Sequence, residues 1–446
     1  MKVYFISLGC DKNLVESEYM LGMLSDAGHS LTQQEEEAEV IVINTCCFIH
    51  DAKQESVETI LEAAEFKKNG ACRVLIVTGC LAQRYQQEIR EEIPEVDAVL
   101  GTTSFEAIIR AIECAQKGEA LEEFRELTYL PLPDTKRINT TCGYTAYLKI
   151  ADGCEKFCTY CIIPSIRGKY RSVPMERILS EAETLAKNGA KELILVAQET
   201  TLYGTDLYGK KCLPELLDRL CAIEGPEWIR ILYCYPEEID DELIAAMKRN
   251  PKVCRYLDLP IQHASDSVLK RMGRRTTQKD ILRLIRKLRK ELPGIALRTS
   301  LITGFPGETQ DDHEELLNFV AKVRFDRLGV FTYSKEEGTP AAKMKEQITK
   351  KVKLARQKEI MTLQQQISFE QSEKMIGKRL TVMIEGKMPS EHVYLARSYK
   401  DAPGIDGYLF VESDETFESG EFTVVRITGA KGYDLIAENI KKKLLK

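Results

Sequence analysis

Three cysteines at C-x3-C-x2-C spacing, Cys154, Cys158 and Cys161, constrain this chain more than any other feature of its sequence. Three thiolates this close together can bind one face of a metal cluster, whereas a four-iron cluster closed at every iron needs four ligands. Three ligands leave one iron open, as a catalytic metal site leaves one coordination position open. The alternative is a partial zinc knuckle, but the nearest downstream histidine is the distant His263. We therefore expect an iron–sulfur cluster on these cysteines.

The first block, residues 1–118, alternates strand-like and helix-like segments, which predicts a Rossmann-like parallel α/β sheet. Cys10, Cys46 and Cys80 each follow a predicted strand. Because the loops after parallel strands gather at one edge of a sheet, we expect the three to converge on a second cluster, again with one open iron. The alternative is that they are ordinary buried cysteines. Cys47 adjoins Cys46, and spacing alone leaves open which of the two is the ligand.

The central block contains six strand–helix repeats and a long trailing helix within residues 143–372. Six β/α units predict a partial (β/α)6 barrel, whose chemistry lies at the carboxyl ends of the strands. The cysteine triplet follows the first of these strands. Residues 119–142, with an acidic stretch and several prolines, are typical of a surface linker between the two blocks.

Polar and small residues follow the later strands of this barrel and are candidate cofactor contacts. The glycine turn at 304–308 can hold an adenine or ribose through its backbone, and Arg298 either binds a carboxylate or forms an ordinary ion pair. His263 is either a ligand or base or a helix cap, and Arg167 and Lys169 either contact the substrate or are solvated. No side chain is assigned as a catalytic acid or base. The assigned cofactor contacts are Gln198, Gln262, Arg298, Gly304, Gly307 and Glu308.

The last block, residues 373–441, contains five short β-like runs between glycine and proline turns, which predicts a small antiparallel β-barrel. Such barrels often bind RNA. However, residues 377–441 carry eight Lys and Arg against eleven Asp and Glu. An acidic barrel suits a basic protein better than RNA, so we expect no direct RNA binding. The lysine-rich residues 441–446 are interpreted as a solvated tail.

The 14 cysteines of this 446-residue chain, several of them at metal-ligand spacing, indicate a reducing compartment rather than a disulfide scaffold. A net charge of −6 excludes a nucleic-acid-coating protein. The sequence shows neither a signal peptide nor a run of membrane-spanning length. We therefore expect a cytoplasmic protein without membrane association and, since nothing indicates an obligate oligomer, a monomer.

Several segments resemble one family over nearly the full length of the chain. They are residues 7–15, 44–49, 163–172, 197–204, 232–236 and 260–265, together with the cysteine triplet. The family is that of the radical S-adenosylmethionine methylthiotransferases, and the segments are most similar to members that modify a ribosomal protein rather than tRNA. Cys47 is a departure, because these members usually carry glycine there. By alignment with the family, Cys46 is the ligand.

The resemblance implies two [4Fe-4S] clusters and S-adenosylmethionine as cofactors. The open iron of the cluster on Cys154, Cys158 and Cys161 would bind S-adenosylmethionine. One electron would then cleave this cofactor to a radical that takes hydrogen from an unactivated carbon, which no acid or base side chain can do. The N-terminal cluster would offer a methylated sulfur to the substrate radical.

The implied function is insertion of a methylthio group at the β-carbon of an aspartate in small-subunit ribosomal protein S twelve. The last barrel would be a TRAM domain, and the reductant a flavodoxin or ferredoxin. Two alternatives remain at this point: methylthiolation of a tRNA adenosine near the anticodon, and a non-enzymatic cluster carrier or structural zinc protein.

Overall fold

The first domain of the structure, a computed structural model that describes residues 1–389 and 392–440, alternates strands and helices as predicted. Its elements in chain order are β1 (Lys2–Ser7), α1 (Asp11–Asp26), β2 (Ser30–Leu31), β3 (Val40–Thr45), α2 (His50–Asn69), β4 (Val74–Gly79), α3 (Cys80–Arg84), α4 (Gln86–Glu92), β5 (Ala98–Leu100), α5 (Ile108–Gln116) and β6 (Leu121–Glu123).

These six strands form one parallel sheet in the order β2-β1-β3-β4-β5-β6, which confirms the predicted class. Strands β3 and β4 are buried along their whole length because helices cover both faces of a parallel sheet. The sequence analysis missed β2 and β6. Strand β6 lies in the segment expected to be a linker; it contains a single leucine and is held at the sheet edge by pairing with β5.

The second domain contains the six repeats that the sequence predicted, with short additional elements between them. In chain order these are β7 (Thr145–Lys149), β8 (Ala151–Asp152), α6 (Ile163–Arg167), β9 (Arg171–Ser172), α7 (Met175–Lys187), β10 (Glu192–Val196), α8 (Thr205–Tyr208), α9 (Leu213–Cys221), β11 (Trp228–Ile231), α10 (Asp241–Arg249), β12 (Tyr256–Asp258), α11 (Asp266–Arg271), α12 (Gln278–Glu291), β13 (Ala296–Thr303), α13 (Gln310–Val323), β14 (Arg327–Thr332) and α14 (Lys350–Glu373).

The partial barrel consists of two three-stranded parallel sheets, β11-β10-β7 and β12-β13-β14. The sheets meet where Ile229 bridges to Val253 and where the Cys234 N–H donates to the carbonyl oxygen of Asp258 at 2.9 Å. Apolar side chains on the outer face of the strands pack against the surrounding helices in one core. Among the described helices of this chain, none is both long and apolar enough to cross a bilayer.

The third domain is a closed five-stranded barrel, as predicted, in the order β15-β16-β17-β19-β18. One of its pairings, β17 with β19, is parallel, so the barrel is not wholly antiparallel. The predicted tail at 441–446 lies outside the described residues. The strands are β15 (Arg379–Lys387), β16 (Val393–Ser398), β17 (Leu409–Glu412), β18 (Phe422–Lys431) and β19 (Asp434–Asn439).

A buried ion network joins this small barrel to the amino ends of the central strands. Arg397 donates to Glu192 at 2.6 Å, and Arg230 donates to the same carboxylate at 2.7 Å, with all three side chains fully buried. Arg298 pairs with Asp258 at 2.7 Å and lies 3.8 Å from Asp406 of the third domain. The third domain thus packs at the amino ends of the central strands, and the first domain packs at their carboxyl ends.

Candidate functional site

The loop with the three barrel cysteines begins directly after β8. Cys154 and Cys158 are buried and Cys161 is partly exposed. Gly153 has a φ of +77°, and a Cβ here would lie 2.1 Å from the carbonyl oxygen of Lys169, so only glycine lets the chain turn at this point. The loop closes through a hydrogen bond from the Cys154 N–H to the carbonyl oxygen of Gly168 at 3.1 Å.

The environment of these thiols fits a bound metal centre. Burial raises the pKa of Cys154 to about 11 and also raises the pKa of Cys161. Thiols buried in this way become thiolate ligands only when a metal compensates their charge. Arg274 and Tyr235 approach Cys158: the guanidinium nitrogen is 4.0 Å and the phenol oxygen 3.5 Å from its sulfur. Tyr235 lies in the family-like segment 232–236, whereas the sequence analysis missed Arg274, because nothing in its spacing links it to the triplet.

Two neighbouring side chains at the end of β10 present polar atoms that lack a partner. Gln198 donates its amide to Asp152 at 2.9 Å, while its Oε1 is buried and has no hydrogen bond among the described residues. Glu199 is fully buried, its Oε2 also lacks a hydrogen bond, and burial raises its pKa to about 7. Asp152 directly precedes the glycine of the cysteine loop. A polar ligand such as S-adenosylmethionine therefore fits beside the barrel cysteines.

Other predicted cofactor contacts have protein partners. Arg298 pairs with Asp258 as described above, which agrees with its ion-pair alternative. Glu308 is buried and pairs with Arg356 of α14 at 2.9 Å, a partner that the sequence analysis did not predict. His263 Nδ1 accepts a hydrogen bond from the N–H of Ser265, the residue before α11, at 3.0 Å, and its buried Nε2 has no hydrogen bond among the described residues. Its role as ligand, base or helix cap stays a prediction.

The remaining predicted contacts lie at positions where the backbone is constrained. Gln262 adopts a φ of +70° and bonds through its N–H to the carbonyl oxygen of Ser300 beside β13. The side chain of Lys353 packs against Gly304, and a Cβ at position 304 would lie 2.2 Å from it. The side chain of Glu346 packs against Gly307 in the same way. Cofactor contacts at these positions remain predictions.

The structure brings Cys10, Cys46 and Cys80 to one edge of the first sheet. Oδ1 of Asn13 lies 3.9 Å from the sulfur of Cys10 and also 3.9 Å from that of Cys80. Gly9 has a φ of +91°, and a Cβ there would lie 3.0 Å from the sulfur of Cys46. Strand ends that are distant in sequence thus place three cysteine side chains around the first turn of α1.

Cys46 and Cys47 point to different surroundings. Cys46 lies against Gly9 and interacts electrostatically with Cys10. Cys47 is fully buried within the hydrophobic core of the domain, and burial raises its pKa to about 12. Cys46 is thus the one of the two that lies against Gly9, next to Cys10, and its assignment as the ligand stays a prediction.

Arg167 connects the two cysteine sites. Its guanidinium donates to Asn13 Oδ1 at 2.6 Å and to the sulfur of Cys80 at 3.5 Å, and it bonds Glu16 Oε2 at 3.0 Å. It also lies 3.3 Å from Asp152, just before the barrel cysteine loop. The residue is 1% exposed, so the alternative that Arg167 is solvated is wrong, while its contact with substrate stays a prediction; Lys169 is exposed.

Arg167 lies in a buried cluster of charges. Lys149 of β7 donates to Glu16 of α1 at 2.8 Å, and Arg171 lies 3.9 Å from Asp152. Although burial opposes ionisation, Lys149, Arg167 and Arg171 lower the pKa of Asp152 well below its usual range. Two carboxylates and three cations from the two domains therefore form one buried cluster, which fixes the first domain on the carboxyl ends of the barrel strands.

The start of α1 makes a second contact across the same interface. The Lys12 ammonium lies 3.4 Å from the ring centroid of Tyr233, and the phenol of Tyr233 hydrogen-bonds Asp11 at 3.0 Å. Cys10 directly precedes this helix turn and Tyr233 follows strand β11. The N-terminal cysteine site thus opens on the barrel end that carries the cysteine loop.

Within residues 1–389 and 392–440, no three His, Cys, Asp or Glu side chains are arranged to hold one metal ion. A four-iron cluster differs, because its ligands bind separate irons. The glycine turns, the buried thiols and the cationic partners at both sites fit such clusters.

Comparison with known proteins identifies each of the three domains. Residues 2–101 match an uncharacterised protein family, UPF0004. Residues 148–320 match the radical SAM superfamily, and residues 376–440 match the TRAM domain. The three matches coincide with the first sheet, the partial barrel and the small closed barrel.

Relatives match over nearly the full length. The chain is 65% identical over 436 residues to the ribosomal protein uS12 methylthiotransferase RimO of Lachnoclostridium phytofermentans, which covers 98% of this chain and 99% of that protein. Proteins of the same name from Clostridium botulinum strain Hall and Pelotomaculum thermopropionicum are 52% and 50% identical. The match to the Clostridium botulinum protein covers 98% of this chain and 97% of that protein, and the match to the Pelotomaculum thermopropionicum protein covers 99% of each.

Among solved structures, the radical S-adenosylmethionine methyltransferase TsrM from Kitasatospora setae, with cobalamin and a [4Fe-4S] cluster bound, has a TM-score of 0.56. The match covers 76% of each chain at 14% sequence identity. At this identity the likeness concerns the fold alone.

Proposed function

The chain belongs to the family of the ribosomal protein uS12 methylthiotransferases RimO, radical S-adenosylmethionine enzymes, and from this premise we propose that it inserts a methylthio group into uS12, the small-subunit ribosomal protein S twelve. The acceptor is the β-carbon of an aspartate. The observation that carries this proposal is that the buried side chain of Arg167 contacts Cys80 of one predicted cluster site and Asp152, two residues before Cys154 of the other.

Radical SAM membership implies S-adenosylmethionine and one [4Fe-4S] cluster, which Cys154, Cys158 and Cys161 would hold. We assign a second [4Fe-4S] cluster to the N-terminal cysteines. When bound, these groups supply a radical that can take hydrogen from an unactivated carbon and a sulfur that replaces it. The chain's own side chains position these groups and exclude water.

Each side chain at the interface has a defined task in this scheme. Gln198 and Glu199 offer their unpartnered oxygens to polar groups of S-adenosylmethionine beside the cysteine loop. Arg274 places a positive charge next to Cys158 and would offset the negative charge of a cluster bound there. Arg167 places a positive charge next to Cys80 in the same way and holds the two sites together.

The charge of the third domain supports a protein substrate over tRNA. Its residues 377–441 carry a net negative charge, eight cations against eleven anions. Phosphate backbones bind through lysine and arginine, so this surface disfavours tRNA and favours a basic ribosomal protein. The further proposals are that the enzyme acts as a cytoplasmic monomer and receives electrons from a flavodoxin or ferredoxin.

Parallel reactions with the two substrate classes test the proposal. The anaerobically reconstituted protein receives S-adenosylmethionine, sulfide and reductant with either uS12 or a tRNA anticodon stem-loop. We expect a methylthio mass gain on uS12, located to one aspartate by fragmentation mass spectrometry, and none on the RNA. The Cys158→Ala variant is the matched control and should modify neither. A mass gain on the RNA with none on uS12 would overturn the proposal.

A further inference from the structure

Three loop segments meet on the outside of the barrel beside its cysteines. Thr159, which follows Cys158, is their meeting point: its N–H donates to the carbonyl oxygen of Met272 at 2.9 Å. The carbonyl oxygen of Thr159 accepts a hydrogen bond from the N–H of Ala341 at 2.8 Å. These contacts place a continuous surface next to a predicted cluster ligand. The three segments are residues 155–159, 270–275 and 341–346.

The outer side of these segments is basic and carries one exposed aromatic ring. Phe157 is 63% exposed and has a φ of +51°, a left-handed conformation that is uncommon for phenylalanine. Five basic side chains accompany it against two acidic ones, in a chain whose net charge is −6. We call this surface the donor face. Its residues are Glu155, Phe157, Lys270, Arg271, Arg275, Lys343, Lys345 and Glu346.

Most of the cations on the donor face are exposed and unpaired. In the part of the chain that the structure describes, Lys270, Arg275, Lys343 and Lys345 form no ion pair. A group of like charges without partners repels itself, and an oppositely charged surface removes that repulsion on binding. The donor face is therefore suited to an acidic protein.

We propose that the donor face is the docking surface of an acidic one-electron carrier protein that reduces the barrel site. This rests on the proposed function, because radical chemistry at the barrel cysteines consumes an electron from outside the chain. The carrier is oxidised by one electron, which enters beside Cys158, and no covalent bond forms between the proteins. The ribosomal substrate is basic, since it binds RNA phosphates, so this face repels it and selects the carrier.

A triple charge reversal, Lys270→Glu with Arg275→Glu and Lys343→Glu, tests the proposal in the reconstituted holoenzyme. Calorimetry with an oxidised flavodoxin should show binding weakened by roughly tenfold or more. The wild-type affinity should itself fall as salt is raised, because exposed charges are screened. Cleavage of S-adenosylmethionine should fall by a similar factor with reduced flavodoxin as donor and stay unchanged with dithionite.

The matched control reverses three exposed cations at the opposite end of the barrel, Arg286, Lys290 and Lys322, and should change neither binding nor cleavage. A single Lys343→Glu variant guards against misfolding of the triple one. The proposal is overturned if flavodoxin binding is unaffected, if dithionite-driven cleavage falls equally, or if uS12 binding falls instead. No readout uses methylthiolation, so failure here is distinct from failure of the proposed function.

Discussion

The two cysteine sites of this molecule are built in opposite ways. The barrel site is contained in one loop, residues 154–161, whose turn is set by a single glycine. The N-terminal site is assembled from the ends of β1, β3 and β4, so it exists only when the whole sheet has folded. The difference shows that a local motif and a topological one bring together the same number of cysteines by independent routes.

The sites also differ in the origin of their charged partners. Arg274, beside the barrel cysteines, belongs to the same domain as they do. Arg167, beside Cys80, comes from the other domain. The barrel site is therefore complete within its own domain, whereas the N-terminal site is completed only by docking on the barrel. A variant that disrupts the barrel site should consequently also stop the reaction at the N-terminal site, whereas a variant at the N-terminal site should leave the barrel site active.

The largest expected effect is that of Cys158→Ala. Removing this ligand should abolish cleavage of S-adenosylmethionine and hence all modification of uS12, because every later step depends on the radical. Cleavage is measured as methionine released under reducing conditions. Cys114→Ala, a cysteine outside both sites, is the control and should cleave normally. Cleavage that persists in Cys158→Ala would contradict the assignment of the barrel site.

Cys10→Ala should separate the two sites. Cleavage of S-adenosylmethionine should stay within about twofold of wild type, since the barrel loop makes no use of this residue, while methylthio transfer to uS12 should be abolished. Both activities are measured in the same reaction by mass spectrometry. Equal loss of the two activities in this variant and in Cys158→Ala would end the proposed division of labour.

Arg167→Lys should weaken the connection between the two cysteine sites while keeping the positive charge. Lysine lacks the planar fork that reaches Asn13 and Cys80 together. Transfer should fall by roughly 100-fold, as expected when reacting groups shift by about 1 Å, and the electron paramagnetic resonance signal of the N-terminal site should change while that of the barrel site does not. Lys169→Met, at an exposed neighbour, should be silent. An altered barrel signal alone would show that Arg167 serves only its own domain.

Cys47→Gly should have the smallest effect. Cys46 rather than Cys47 is the predicted ligand beside Gly9, so iron content and transfer should be unchanged. The cavity should lower the free energy of unfolding by about 1–2 kcal/mol. Iron analysis and chemical denaturation measure the two outcomes. A loss of iron would instead reassign the ligand from Cys46 to Cys47.

The sequence predicted what depends on local pattern or on strand topology. The triplet could be recognised by spacing, and the convergence of Cys10, Cys46 and Cys80 followed from the rule that loops after parallel strands gather at one edge. The sequence could not predict that Arg167 connects the two cysteine sites, because its partners Asn13 and Cys80 lie in another domain and no periodicity links them to it.

Side-chain pairing explains the other differences. Arg298 was chosen as a cofactor contact from its place on a strand, but Asp258 of the neighbouring strand and Asp406 of the third domain lie beside it. Strand β6 was missed because its single leucine gives no alternating pattern. Such features depend on tertiary neighbours that a single sequence does not identify.

Iron analysis of the anaerobically reconstituted chain tests the central claim, two cluster sites on one interface, most directly. The wild type should bind about eight irons per chain, four at each site, and the triple variant Cys10→Ala, Cys46→Ala and Cys80→Ala should bind about four. A wild-type chain that binds only four irons, or a triple variant that keeps eight, would contradict the account.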